Sequence, residues 1–383
     1  MKKIDLIILS ELDPNAGGRE TWLYNFFPRV VERATDFEFT VIGFKLRNGN
    51  SRAEQLLSAV SHQSRNRLNV KQLNIPVSGL PFVIRMARAI RAYSRSKKFS
   101  VPDIVLGMGI NELIMILLSR YRSAKKIVWL RGIYLHEKAY RIPRLLIPLL
   151  ARLEIYFLRK VDFVLANGED IASHYREKGI NVHVIPNGVD LTRWKQEPSV
   201  RGEILRIAYI GRVSEVKGIK EYLRLVRAIK ATAHGQNFEF HVVGDGDYVK
   251  TADFQSALNL IVYHGTVPNR DLPTLLRVFD VCVGLTLSGA SGGGGGTSNA
   301  LLEQLAAGKI ILAWRTPHFT QILSEESAFL VEQGDIKGLE EALQRIYADE
   351  DLARRKAGSA SRLATRFSIE AKVNECVGFL AHV

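Results

Sequence analysis

Short runs of β-branched and aromatic residues alternate along this chain with segments whose apolar positions recur every three or four residues. IDLIILS (4–10), FEFTVIGF (37–44), DIVLG (103–107), KIVWLRG (126–132) and DFVLAN (162–167) have the length and composition of buried strands. GRETWLYNFFPRVVERA (18–34) and RLLIPLLARLEIYFLRK (144–160) carry the helical period. A polar break, LTRWKQEPSVRGE (191–203), interrupts the alternation. It restarts with LRIAYIGRV (205–213), EFHVVGDG (239–246), NLIVYHG (259–265), VCVGLTL (281–287), KIILAW (309–314) and AFLVE (328–332). Strands joined by helices of this length build right-handed βαβ units and parallel sheets. The pattern therefore predicts an α/β chain of two Rossmann-like domains. Open parallel sheets bind ligands beyond the carboxyl ends of their strands, so the loops after the strands are where chemistry is expected.

Four such loops stand out. Gly17 and Gly18 follow the first strand and open a helix, either as a plain turn or as a backbone that a ligand approaches closely. IPNGVD (185–190), containing Asn187, reads as a tight turn before the polar break. In YIGRVSEVKGI (209–219), Gly211 ends a strand, and Arg212 and Lys217 lie five residues apart across a strand-to-helix turn. They are either two solvated surface cations or a pair that reaches one diphosphate. Finally, GASGGGGGTSNALLEQLAAG (289–308) lies between a strand and a helix of the same series, where a tether between domains has no place. Its glycines, Gly295 and Gly296 among them, suit a phosphate-embracing turn, with Thr297, Ser298 and Asn299 supplying capping groups. Glu303 stands one turn into the helix. Its plain alternative is an exposed helical glutamate. Asp245 and Asp247 flank Gly246 after Gly244, as turn-shaping acids or a metal pair. The histidines show no HxxxH spacing, so no metal site is expected.

Composition adds one large asymmetry. The 383 residues carry a net charge of +14. Residues 1–190 hold 30 basic against 17 acidic residues, and residues 191–383 hold 23 against 22. Between Glu54 and Asp103 there is no acid, while Arg85, Arg88, Arg91 and Arg95 share one side of a helix expected over 80–98. Such a field faces an anionic partner: nucleic acid, a membrane surface or an acidic substrate. No helix-turn-helix or RNP-like signature accompanies it, so nucleic acid is the weakest of these. The 140–160 segment joins basic ends to an apolar middle, read as a core-packed helix or a membrane-surface one. Two distant cysteines fit a reducing compartment, and no uncharged stretch reaches the ~18 apolar residues of a membrane span. A cytoplasmic chain, peripheral at the inner face of the cell membrane, is expected.

Taken in order, Gly17-Gly18, IPNGVD, GRVSEVKG, GDGD and NALLEQLAAGK followed by IILAW resemble the retaining, nucleotide-sugar-dependent glycosyltransferases of family GT4, over nearly the whole chain. That resemblance implies a GT-B fold, with two Rossmann-like domains facing each other across a cleft. An acceptor domain would span 1–190 and a nucleotide-sugar domain 191–366, and a last helix, 367–383, would cross back to the first domain. It implies that Arg212 and Lys217 bind the donor diphosphate and that Glu303 holds the ribose. It also places Gly17, Gly18, Asn187, Gly211, Gly244, Gly295, Gly296, Thr297, Ser298 and Asn299 around the donor. Two positions depart from the family. Gly295 stands where the first acid of E-x7-E is usual, and Arg131, a candidate catalytic residue together with Arg212 and Lys217, stands where a histidine near the transferred sugar is usual. The implied reaction needs no cofactor and no metal. It moves a sugar from a nucleotide sugar to a saccharide acceptor, lipid-linked in this reading, in lipopolysaccharide, capsule or exopolysaccharide synthesis, with an anionic membrane beside the four arginines. A catalytically impaired nucleotide-sugar binder, a sugar-nucleotide epimerase and a basic nucleic-acid-binding protein are the alternatives.

Overall fold

Every strand pairing among the described residues of the computed structural model is parallel, as the buried, near-continuous apolar runs demand. It describes residues 1–13, 18–45, 52–75, 82–96, 101–118, 123–133, 135, 144–195, 202–288 and 295–383. Gly17 and the glycines of 289–294 lie outside the described residues. Two units are defined, residues 1–187 with 370–383, and residues 188–369.

The first unit holds a seven-stranded sheet: β1 (Lys2–Ile7), β2 (Phe37–Lys45), β3 (Leu68–Asn74), β4 (Ile104–Gly107), β5 (Lys125–Leu130), β6 (Phe163–Ala166) and β7 (Val182–Val184). Its order is β3-β2-β1-β4-β5-β6-β7, so the winding reverses between β1 and β4. The segment expected as one helix over 18–34 is two, Gly18–Asn25 and Phe27–Arg33. Pro28 has no N–H to give the carbonyl four residues back, and the helix breaks before it. The helix Phe82–Ser96 buries Met86, Ala89 and Tyr93 and exposes Arg85, Arg88, Arg91 and Arg95. The Tyr93 hydroxyl donates to buried Asp5 at 3.0 Å. The helix Ile369–His382 packs on this unit through an ion pair of Glu370 with Arg33 and edge contact of Phe379 with Phe163 (centroids 5.6 Å).

Of the two readings given to the 140–160 segment, the core-packed one does not hold. The described part of that segment, residues 144–160, is a 3-10 turn, Arg144–Leu146, followed by a helix, Ile147–Leu158, which leaves Leu149 and Leu153 exposed. The inward residues are Leu158 and an acid, Glu154, which accepts a 2.6 Å hydrogen bond from Tyr175. Leu145 is 93% exposed, and Leu146, Leu149, Leu153 and Tyr156 are also exposed. Apolar residues occupy the whole circumference of this helix, and its packing on Ile110–Leu118 and Tyr175 covers only one side of it. This helix and the four-arginine helix both pack on Ile110–Leu118.

The second unit holds β8 (Leu205–Ile210), β9 (Phe238–Val243), β10 (Val262–Gly265), β11 (Val281–Gly284), β12 (Ile310–Trp314) and β13 (Phe329–Val331), ordered β10-β9-β8-β11-β12-β13. Its reversal falls between β8 and β11. The start of the polar break is part of this unit. Asp190 caps a helix, Leu191–Trp194, through the Arg193 N–H, and Trp194 is buried in the core.

Candidate functional site

The loops expected to carry chemistry in the second unit follow the two strands that flank its switch point. After β8, Gly211 has φ +150°, and its N–H donates to Val243 at 2.9 Å. A Cβ on Gly244 would lie 1.9 Å from the Gly211 carbonyl oxygen, so the ends of β8 and β9 meet backbone to backbone. The chain then makes a 3-10 turn, Glu215–Lys217, and Gly218 follows in the left-handed region at φ +78°. A Cβ there would stand 2.1 Å from the carbonyl oxygen of Leu285, just past β11. The Leu287 N–H donates to the Val216 carbonyl at 3.0 Å. The Arg212–Lys217 loop is thus fastened to the loop that leads into the glycine run. Arg212 is exposed, and its guanidinium has no hydrogen-bond or ion-pair partner among the described residues, while Lys217 is half-buried.

On the far side of the run, Gly295 (φ +82°) and Gly296 (φ +87°) are both left-handed. An acid at position 295 would be strained there, which gives a backbone reason for glycine at the first unusual position. Thr297 is buried, and Ser298 caps the helix Asn299–Ala306, its hydroxyl accepting from the Leu301 N–H at 3.4 Å. The open N–H groups and positive end of that helix favour an anion.

Glu303, one turn further on, is not the exposed glutamate of the plain reading. Burial pushes its carboxyl up to about 7, against the pull of Arg193 and a hydrogen bond with Asn269. Arg193 in turn donates to the Asn269 carbonyl and side-chain oxygens, each at 2.6 Å, and stacks over Trp194. Asn269 therefore bridges Arg193 and Glu303. Nothing in the sequence pattern singles out Arg193 or Asn269, because their pairing exists only after folding. Asp245 shapes a turn, accepting from the Gly246 N–H at 2.7 Å.

The first unit gathers a second cluster at its own switch point. Glu112 is fully buried; it accepts from the Leu9 N–H at 2.6 Å and from Arg19 Nη1 at 3.1 Å. Burial pushes its carboxyl above the usual range. Arg19 also reaches the Met108 carbonyl, and Glu20 accepts from the Ser10 hydroxyl at 2.5 Å. These bonds anchor the helix that begins at Gly18. Arg131, at the end of β5, stands over Trp22 (4.8 Å) and Trp129 (5.6 Å) and donates from Nη2 to Asn187 Oδ1 at 2.7 Å. Asn187, expected near the donor, thus gives its side-chain oxygen to Arg131. Desolvation, then Arg19, pushes the guanidinium down to about 9, with Glu20 opposing. Arg19, Glu20, Glu112 and the two tryptophans escape sequence reading, since nothing in their spacing joins them.

Known proteins match this chain in sequence and in fold. A family model described as glycosyltransferase family 4 matches residues 16–193, and one described as glycosyl transferases group 1 matches residues 205–349. The Escherichia coli K12 protein WcaL, named for colanic acid biosynthesis, is 26% identical over 162 residues, 41% of this chain and 39% of that protein. Among solved structures, sucrose-phosphate synthase from Thermosynechococcus elongatus superposes with a TM-score of 0.78 at 16% identity, covering 100% of this chain and 99% of that one. The Anabaena protein HepE in complex with UDP gives 0.74 at 16% identity, with full coverage of both chains. The lipopolysaccharide outer core galactosyltransferase WaaB gives 0.66 at 15% identity, covering 99% of each.

Proposed function

Since the chain belongs to the family 4 glycosyltransferases and has their GT-B fold, we propose that it moves a sugar from a nucleotide-diphosphate sugar to a saccharide acceptor, with retention at the anomeric carbon. The reaction breaks the bond between C1 and the diphosphate oxygen, forms one from C1 to an acceptor oxygen, and releases the acceptor's proton. Negative charge grows on the leaving diphosphate. Arg212, Lys217 and the N–H groups opening the Asn299–Ala306 helix are cations and dipoles suited to hold it, without a metal. The carrying observation is the fastening of the two loops, Gly218 against Leu285 and Leu287 to Val216.

Glu303 is proposed to hold the ribose hydroxyls as a carboxylate. Its raised pKa sets the sign of a pH effect. The ionised form becomes the majority only above about pH 7, so affinity for a nucleotide sugar should strengthen roughly tenfold from pH 6 to pH 8. Calorimetric titration should show this rise in the wild type and a flat profile in Glu303→Gln.

The acceptor is proposed to be lipid-linked, in the synthesis of a cell-envelope polysaccharide, as the names of WcaL and WaaB suggest. Four exposed arginines and an exposed leucine face, on helices that share a neighbour, support a first unit that rests on an anionic leaflet. Each basic residue at such a surface contributes about 1 kcal/mol, and each leucine that leaves water adds to it. No helix among the described residues is long and apolar enough to cross a membrane.

The test is a thermal-shift screen of nucleotide sugars, followed by transfer assays with lipid-linked acceptors on vesicles. Stabilisation by one donor, and transfer that rises with anionic lipid and falls in Leu149→Glu/Leu153→Glu, is expected. Consumption of the donor without any acceptor would favour an epimerase instead. No stabilisation by any nucleotide would end the proposal.

A further inference from the structure

Arg131 has three unusual features together. Its side chain is only partly exposed, and its Nη1 is enclosed without a hydrogen-bond partner among the described residues. The indole N–H groups of Trp22 and Trp129, whose rings flank the guanidinium, are likewise enclosed and unpartnered. No carboxylate lies within ion-pair distance of Arg131 among the described residues. Arg19, the nearby cation, is already paired with Glu112, and Glu20 is engaged by Ser10 and Arg19.

Buried donors are normally satisfied, and a cation taken out of water without a counter-charge is costly. Three enclosed donor nitrogens and a positive charge with no carboxylate in ion-pair range form a cluster rich in donors and short of acceptors. The two aromatic faces soften the cost of desolvation but supply no oxygen. Asn187 holds the fork through Nη2 and leaves the other arm unpartnered among the described residues. That arrangement positions the guanidinium and does not neutralise it. The neighbouring positive charge of Arg19 adds repulsion, which an incoming anion would relieve.

We infer that Arg131 anchors an oxyanion subsite in the first unit, its unpartnered Nη1 bonding an oxygen of a carboxylate or phosphate carried by one of the reacting sugars. Only the ligand's being a sugar substrate rests on the proposed glycosyl transfer. The acid on that substrate, a uronic carboxylate or a phosphate ester, would then be a condition of productive binding, and a neutral hexose would bind more weakly.

Tryptophan fluorescence and thermal shift of the full chain, titrated with glucuronate, inorganic phosphate, glucose and UDP against sodium chloride at equal ionic strength, test this. A saturable response to glucuronate or phosphate, absent with glucose and chloride, is expected. Arg131→Gln should weaken it at least tenfold, and Arg131→Lys, which keeps the charge and loses the fork, should weaken it less. Saturation at lower glucuronate than phosphate assigns a carboxylated sugar, and the reverse assigns a phosphorylated one. The UDP response reports on the second unit and should be unchanged in both variants. Its absence in the wild type would count against nucleotide binding and leave the oxyanion result standing. If neither anion gives a saturable response in the wild type, or if the variants respond as the wild type does, Arg131 is a structural cation between two tryptophans and the inference falls.

Discussion

Lys217→Ala and Arg212→Ala should each lower kcat/KM with the preferred nucleotide sugar by about 10²–10³-fold, the effect of removing one donor from a developing oxyanion. Most of the loss should appear in kcat, because the cations oppose charge that grows as the bond to the sugar breaks. The unliganded protein should melt almost unchanged in Arg212→Ala, since that guanidinium is exposed and makes no bond to the described residues. A matched pair of steady-state kinetics and melting curves separates the outcomes. Loss of activity alongside loss of folding would make these residues structural, and full activity would return them to the solvated surface.

Gly218→Ala should destabilise the second unit by about 3 kcal/mol and abolish nucleotide-induced stabilisation. Left-handed backbone costs an alanine roughly 1 kcal/mol, and forcing a methyl into a packed backbone contact adds about 1–3 kcal/mol. Here the obstruction is a carbonyl oxygen 2.1 Å from the new carbon, which cannot rotate aside. Gly308→Ala provides the comparison. At φ +66° it carries the same conformational strain with nothing within 4 Å of its Cβ, so only about 1 kcal/mol should be lost. Urea titration followed by the second unit's own transition would measure both. Equal losses at the two sites would mean that the Leu285 contact relaxes freely and does not fasten the loops.

The strand runs of both sheets were legible wherever a strand is buried on both faces. β3 and β7 were not, and both are edge strands. β3 (Leu68–Asn74) mixes one buried leucine with Asn69, Lys71 and Gln72, and β7 has only three residues. Neither has the apolar continuity that marks an inner strand. The cationic loop and the Ser298 cap could be read from residue type and position after a strand. The Arg193–Asn269–Glu303 bridge could not, since Arg193 and Asn269 lie 76 residues apart in unremarkable polar segments. The 144–160 helix misleads for a different reason. A run that is apolar all round gives no sign of which side will be covered, and an acid, Glu154, took the inward place because Tyr175 was there to bond it.

The way the chain is threaded has a consequence for its synthesis. Residues 188–369 form a continuous stretch, whereas the first unit recruits 370–383 from the far end of the chain. On a ribosome adding 5–20 residues per second, roughly 10–40 s pass between the emergence of Asn187 and that of the final helix. During this interval the faces around Arg33 and Phe163 remain uncovered. The later-made unit can therefore finish folding before the earlier one, and a nascent chain stalled short of residue 370 would be a client for chaperones.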